Sequence, residues 1–291
     1  MRTLLITFLI GLLLSAGNAF AGEVLILQSL RVKPYDDAVR GFRSVTKADT
    51  RTVVLSEAEG TDVVRLVRDQ RPDLILAIGA DALKSVKRVR DIPIIYLMVL
   101  NPEKITGEAR NFNGIDMNIP PERYLALMER LNLPRLKVGL FYDPGKSGAF
   151  VKRIRQAAES MGIEIMAREV HSPREVPEQL MRLSSSCNVF WMLPDPTVVT
   201  AETVEFLLLY TQKNRMPVVT FAGKYVDTGA LFSLDIDGSD LGKQAGEMAN
   251  RVLSGTDISL IRETEARKAV MKVNRKVAEK LGINLAGLEK H

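Results

Sequence analysis

Three stretches hold residue types that do chemistry. Gly145-Lys146-Ser147 has the ending of a phosphate-binding Walker loop, in which backbone N–H groups cradle phosphates and a lysine reaches them. That loop needs a glycine five residues before Gly145; the position holds Leu140, and Gly139 is one place off. The motif fails. The segment reads instead as a strand end, a turn and a helix start whose free N–H groups suit an anionic group. No two glycines lie two apart, so a dinucleotide fingerprint is absent. The histidines are His171, beside Ser172-Pro173, and His291, the last residue, too few for a histidine-based metal site or a Ser-His-Asp triad. Asp235 and Asp237, two apart, would share one face of a strand as a carboxylate pair, although turn-forming aspartates before Gly238 are the favoured reading. The residues thus point to no catalytic group, no metal ligand and no cofactor, and to a protein that is not an enzyme.

What remains are polar groups where apolar strands end. In the first half these are Gln28 and Ser29, then Ala80 and Asp81 after Gly79, then Asn101. In the second half they are Tyr142 and Ser147, then Asp195 and Thr197, then the neighbourhood of Phe221, with Asp237 further on. Each alone is more often a helix cap than a ligand contact. Two lobes facing each other would bring them into one polar-lined pocket.

The elements that must position them alternate. Strand-length apolar runs at Val24-Leu25-Ile26-Leu27, Thr52-Val53-Val54-Leu55, Leu74 to Ile78 and Ile94 to Leu97 are separated by helix-length amphipathic stretches near residues 35–45, 61–69 and 81–89. After Pro120-Pro121 the scheme repeats, with strands at Val138 to Tyr142, Glu164 to Met166, Val189 to Met192 and Val218 to Phe221. Helices are expected near 122–131, 147–161, 174–183 and 198–213. The tail adds strands at 231–234 and 270–274 and helices at 240–253 and 276–281. Wholly apolar strands between helices predict parallel sheets covered on both faces. The fold class is α/β: two Rossmann-like lobes joined by a multi-strand hinge, one of residues 22–118 plus 237–258, the other of 119–236 plus 259–291. Carboxyl ends of strands and helix N-termini then face a common cleft.

The first 21 residues read as a signal peptide: Arg2, an apolar run from Leu4 to Leu14, and Ala19-Phe20-Ala21 before the cleavage point. The run is shorter than the roughly 20 residues a bilayer requires. Gly22 would be the first mature residue, so no cysteine is there for acylation; the protein is expected free in the periplasm. Cys187 is the sole cysteine, a buried thiol by its apolar neighbours, and core packing must hold about 270 mature residues. Without Arg2 the net charge falls from +5 to about +4. Lys84, Lys87, Arg88 and Arg90 read as the solvated face of one helix rather than a nucleic-acid stripe. No nucleic-acid partner is expected, and the chain is expected to be a monomer.

Several segments in order resemble the ABC-transporter substrate-binding family, a branch of the type I periplasmic binding proteins that includes aromatic amino-acid binders. They are Arg71-Pro72-Asp73-Leu74-Ile75, Ile92-Pro93-Ile94-Ile95, Asn101-Pro102, Gly114-Ile115, Val138 to Pro144, Met216-Pro217-Val218-Val219, Thr228-Gly229-Ala230, Asp237 to Gly242 with Gln244-Ala245, and Asn274 to Gly282. Two departures stand out. Relatives usually show Asp-Pro where this chain has Asn101-Pro102. Relatives often carry Gly-x-Asp-Tyr-Tyr where it has Asp235-Ile236-Asp237-Gly238-Ser239. The resemblance implies a small molecule, amino-acid-like or otherwise organic, held between the lobes and passed to an inner-membrane ABC permease; a membrane sensor kinase is the alternative partner. Backbone amides near Ala80 and Ser147 would hold an anionic group, Asp237 or Asp195 a cationic one, and Tyr142 and Phe221 would form apolar walls. A hydrolase using Asp235 and Asp237 is a third reading.

Overall fold

The computed structural model describes residues 22–58, 60, 62–262 and 264–288. The expected signal segment 1–21 and His291 lie outside the described residues. The first lobe opens with β1 (Glu23–Gln28), β2 (Asp49–Val54), β3 (Leu74–Ile78), β4 (Ile94–Leu97) and β5 (Phe112–Asp116). Between them run α1 (Lys33–Val45), α2 (Val63–Gln70), α3 (Ala80–Ser85) and α4 (Glu103–Thr106). The second lobe holds α5 (Pro121–Glu129), β6 (Lys137–Tyr142), α6 (Pro144–Met161), β7 (Glu164–Glu169), α7 (Val176–Leu183), β8 (Val189–Trp191), α8 (Ala201–Lys213), β9 (Val218–Thr220), α9 (Gly223–Asp227) and β10 (Phe232–Ile236). The tail supplies α10 (Gly238–Leu253), β11 (Thr264–Glu265), β12 (Ala269–Val273) and α11 (Arg275–Leu281).

The strands form two six-stranded sheets, ordered β11-β5-β4-β3-β1-β2 and β12-β10-β9-β8-β6-β7. Every pairing is parallel except β10 with β12, where Phe232 lies opposite Val273. This is the α/β, two-lobed architecture expected from the alternating pattern. Every residue of β3 is buried, as a strand covered by helices on both faces requires. The helices start and stop where local chemistry dictates. Asp143 caps α6 by accepting from Gly145 N at 2.8 Å, Pro144 opens the helix, and Gly162 at φ 70° ends it. Thr200 and Thr203 form a reciprocal capping box at α8. Asn274 caps α11, and Gly282 at φ 71° closes it.

The chain passes between lobes three times, after β5, between β10 and α10, and between β11 and β12. α10 packs on α1 in the first lobe, and β11 pairs with β5, Thr264 opposite Ile115. By sheet membership the last crossing therefore falls after Glu265 rather than at the boundary of 258 read from sequence. Ion pairs bind the crossings. Arg267 bridges Asp240 at 2.9 Å and Glu247 at 3.0 Å, both on α10, and Lys268 meets Asp237 at 2.6 Å.

Two local expectations change. The helix expected over 81–89 stops at Ser85, so Lys87 and Arg88 lie in the turn after it and Arg90 in the irregular segment beyond, and they do not extend a helical face with Lys84. Asp235 and Asp237 do not share a strand face, because β10 ends at Ile236 and Asp237 is the N-cap of α10, accepting from Asp240 N at 3.0 Å. Cys187 is half-buried, and burial pushes its thiol up to about 11. No helix among the described residues is long and apolar enough to cross a membrane.

Candidate functional site

The carboxyl ends of β4, β5, β8, β9 and β10 face a cleft that both lobes wall. Its inner part is a chamber of about 350 Å³. Five aromatic side chains line it: Tyr35 in the first turn of α1, Tyr124 on α5, Phe150 on α6, Trp191 at the end of β8 and Phe221 just past β9. Met98, Leu100 and Met117 close it from the first lobe. The rings support one another. The Tyr124 and Trp191 centroids lie 4.7 Å apart, and Phe150 meets Trp191 edge-on at 6.3 Å. Tyr124 is buried and donates its hydroxyl to Leu234 O at 3.0 Å; burial, then the nearby Asp235 carboxylate, hold its phenol well above the usual range. It stays a neutral donor, committed to the strand. Asp235 is the one acid among the lining residues. Its Oδ2 accepts from Gly223 N at 2.7 Å, and its buried Oδ1 has no partner.

Outward, past Leu100, Asn118, Phe150 and Pro194, which border both spaces, lies a vestibule of about 250 Å³. Ala80, Lys84, Asn101 and Lys104 line it from the first lobe, Lys146 and Ser147 from the second. The lips touch here: Asn101, at φ 51°, donates Nδ2–H to Lys146 O at 2.9 Å, and Lys104 Nζ donates to Gly145 O. Three larger hollows, of about 470, 490 and 620 Å³, are each lined by one lobe alone. None of the three has strand ends from both sides. Among the described residues no group of three or more His, Cys, Asp or Glu is placed to hold a metal ion.

Of the residues singled out in the sequence, Ala80, Asn101, Ser147 and Phe221 meet in this cleft. The others are spent inside a lobe. Gln28 donates to Leu30 O and Asp36 Oδ1 and lines the 470 Å³ hollow. Ser29 accepts from Ala82 N at 2.9 Å and donates to Ile78 O, fixing α3 to β3. Asp81 is exposed and pairs with Lys84 at 3.2 Å. Tyr142 is buried, its hydroxyl donating to Glu169 at 2.9 Å. Asp195, wholly buried, accepts from Asp143 N at 2.8 Å and Thr197 N at 2.9 Å, while Thr197 donates to Asp143 Oδ2 at 2.8 Å. Those bonds tie the loop after β6 to the loop after β8. Asp237 caps α10 and pairs with Lys268.

The walls that the sequence reading does not single out are Tyr124, Phe150, Trp191 and Met98, with Lys104; Asp235 and Lys146 stand in it only as members of a carboxylate pair and of a failed Walker loop. For Trp191 there was a signal, since a strand-terminal tryptophan in a chain with a single one is a large apolar surface at a loop-facing position. Tyr124 and Phe150 offered none, because an aromatic residue on an amphipathic helix reads as core.

A family model for ABC transporter substrate binding proteins matches residues 43–287. Among curated proteins, the tyrosine-binding protein of Clostridioides difficile (strain R20291) is 24% identical over 219 residues, which span 72% of this chain and 63% of that protein. A protein of Thermotoga maritima named phosphorylated carbohydrates phosphatase is 27% identical over 158 residues, 52% of this chain and 64% of that one. The matches thus span a little under two thirds of the length of these relatives. Among solved structures, the ligand-free, open form of a substrate binding protein with adhesive properties from Clostridium difficile superposes with a TM-score of 0.74 at 20% identity, covering 90% of this chain and 95% of that one. An ABC domain in complex with L-Trp from Streptococcus pneumonia does so with a TM-score of 0.65 at 20% identity, covering 91% and 95%.

Proposed function

The chain belongs to the ABC transporter substrate-binding protein family, and we propose that it captures a small amino-acid-like or organic solute in the interlobe cleft and delivers it to an inner-membrane ABC permease. The observation that carries this reading is the aromatic chamber opening into a polar vestibule, with walls from both lobes. A ligand touching both walls stabilises the closed arrangement by its differential affinity for it, and closure is the signal a membrane partner reads. The apolar chamber supplies the affinity, through burial at about 25 cal/mol per Å² of apolar surface. The polar mouth supplies orientation. The relatives named for tyrosine and crystallised with L-Trp favour a ring-bearing solute. No covalent step is assigned: the acid at the chamber is tied to Gly223 N, and among the described residues no histidine lines the cleft beside it. Loss of segment 1–21 would leave a monomer free in the periplasm.

Dye-monitored melting against amino acids, aromatic acids, nucleobases and small sugars tests the reading. A ligand at 100 times its Kd adds about 2.7 kcal/mol of stability, and Trp191→Ala or Phe150→Ala should abolish the shift. No stabilisation by any compound would overturn solute capture.

A further inference from the structure

Resting on the solute-binding reading above, we propose that the ligand is an aromatic oxyanion with no ammonium group beside its acid, so an aryl-bearing acid rather than an amino acid. The vestibule carries three lysines drawn from both lobes, Lys84, Lys104 and Lys146, and no aspartate or glutamate lines it. Of the three, Lys84 alone is within ion-pair reach of a carboxylate among the described residues, that of Asp81. Three cations around about 250 Å³ attract an oxyanion and repel an ammonium held next to it. The buried Ser147 hydroxyl adds a neutral donor on the same wall.

An α-ammonium needs acceptors, and the vestibule does not offer a carboxylate. After β4 stands Asn101, whose amide donates across the cleft to Lys146 O at 2.9 Å, a bond that a carboxylate could not make. The nearby Asp116 accepts both N–H groups of Asn118 that point to it and pairs with Arg153 at 3.4 Å. Asp235 lies on the chamber wall, at the end that takes the ring, and does not line the vestibule. With Lys84 paired to Asp81, Lys104 and Lys146 against the one lining aspartate still favour a net negative ligand. The two spaces, joined at Leu100 and Phe150, then fit a ring inward and an acid outward.

The test is calorimetric titration of the full mature chain with matched pairs: 3-phenylpropanoate and phenylpyruvate against phenylalanine, with phenyl phosphate and phenethylamine as further arms. The ammonium-free acids should bind at least about tenfold more tightly than phenylalanine, and Lys104→Gln or Lys146→Gln should each weaken them about tenfold, the scale of one charge-assisted hydrogen bond. Lys87→Gln, outside the cleft, should leave their Kd unchanged. Phenyl phosphate binding alongside the acids supports the oxyanion claim. Phenylalanine, tyrosine or tryptophan binding more tightly than their deaminated counterparts would overturn it, as would lysine variants that melt like the parent and bind the acids equally well. Silence from acids, amino acids and amine alike would remove the solute-binding reading, and this proposal with it.

Discussion

Replacing Gly242 by alanine sets two rules against each other. In the middle of α10 the substitution should stabilise, since alanine exceeds glycine in helix propensity by about 1 kcal/mol. Yet α10 lies so close to α1 that a Cβ on Gly242 would overlap the Ala38 carbonyl oxygen and sit 2.8 Å from both Ala38 C and Phe42 N. These are backbone atoms, so no rotamer change relieves the clash. The helices must part by roughly 1 Å to restore ordinary contact distances. Overpacking of this kind costs about 1–3 kcal/mol, and with both partners rigid the upper end applies, leaving a net loss of about 2 kcal/mol after the propensity gain. For a chain of this size that lowers Tm by about 4–8 °C. The site feels it too: Pro34 and Tyr35, in the first turn of α1, line the chamber, so the displaced helix should weaken ligand binding. Gly148→Ala on α6 is the control, where the nearest atom to the new Cβ is Pro144 Cβ at 3.9 Å and propensity alone acts, raising stability by up to about 1 kcal/mol. The assay is calorimetry on both variants. A Gly242→Ala protein melting at or above the parent temperature would refute the packing argument.

Three further outcomes are expected. Asn113→Ala should cost about 3 kcal/mol in urea denaturation, because the buried amide donates to Ile258 O and Ile261 O and accepts from Gly114 N at 2.7 Å, and alanine leaves those groups without partners; a loss under about 1 kcal/mol would mean that water replaces it. Asp143, held below the usual carboxylate range chiefly by the Thr197 hydroxyl and then by Gly145 N–H, and Asp237, held there chiefly by Lys268, stabilise the fold fully above pH about 4 and lose that contribution as pH falls through their lowered values. Urea midpoints from pH 5 to 2.5 should fall, and Thr197→Val should flatten the fall; an identical acid limb in the variant contradicts the assignment. Cys187, pushed up to about 11 by burial, should be only about a thousandth thiolate at pH 8 and react with a disulfide reagent far more slowly than a free thiol, with unfolding in urea restoring the normal rate.

The alternation of apolar runs with amphipathic stretches made the strands and most helices legible, because a parallel strand buried on both faces leaves a plain mark in sequence. Short elements without that mark were not. β5, Phe112-Asn113-Gly114-Ile115-Asp116, carries a buried asparagine satisfied by carbonyls of residues 258 and 261, which periodicity cannot foresee. β11 is two exposed residues paired with β5, set by the route of the crossings rather than by its own composition.

Four of the eleven candidate residues reach the cleft, and the reason is the order of strands within each sheet. The three crossings join the lobes at the β5–β11 edge of one sheet and the β10–β12 edge of the other. Strand ends near those edges can reach the opposite lobe, which is why Met98 and Leu100 after β4, Met117 after β5, Trp191 on β8, Phe221 after β9 and Asp235 on β10 line the chamber. β1 and β6 lie next to the far edges. Gln28 and Ser29 therefore bond within the first lobe, and Tyr142 turns to Glu169, its register partner on the edge strand β7. From β6 only the following helix returns to the cleft, bringing Ser147 and Phe150 one and two turns in. A polar residue at a strand end is thus a sound class of candidate, but its membership in the site depends on whether the chain leaves that strand toward the hinge or away from it, and local pattern does not encode the direction. Asp195 shows the cost of ignoring this: one residue past the Pro194 that borders both cavities, its carboxylate turns inward to hold two loops together, so Asp195→Asn should disturb the Asp143 and Thr197 turns and destabilise the second lobe before it alters ligand selectivity.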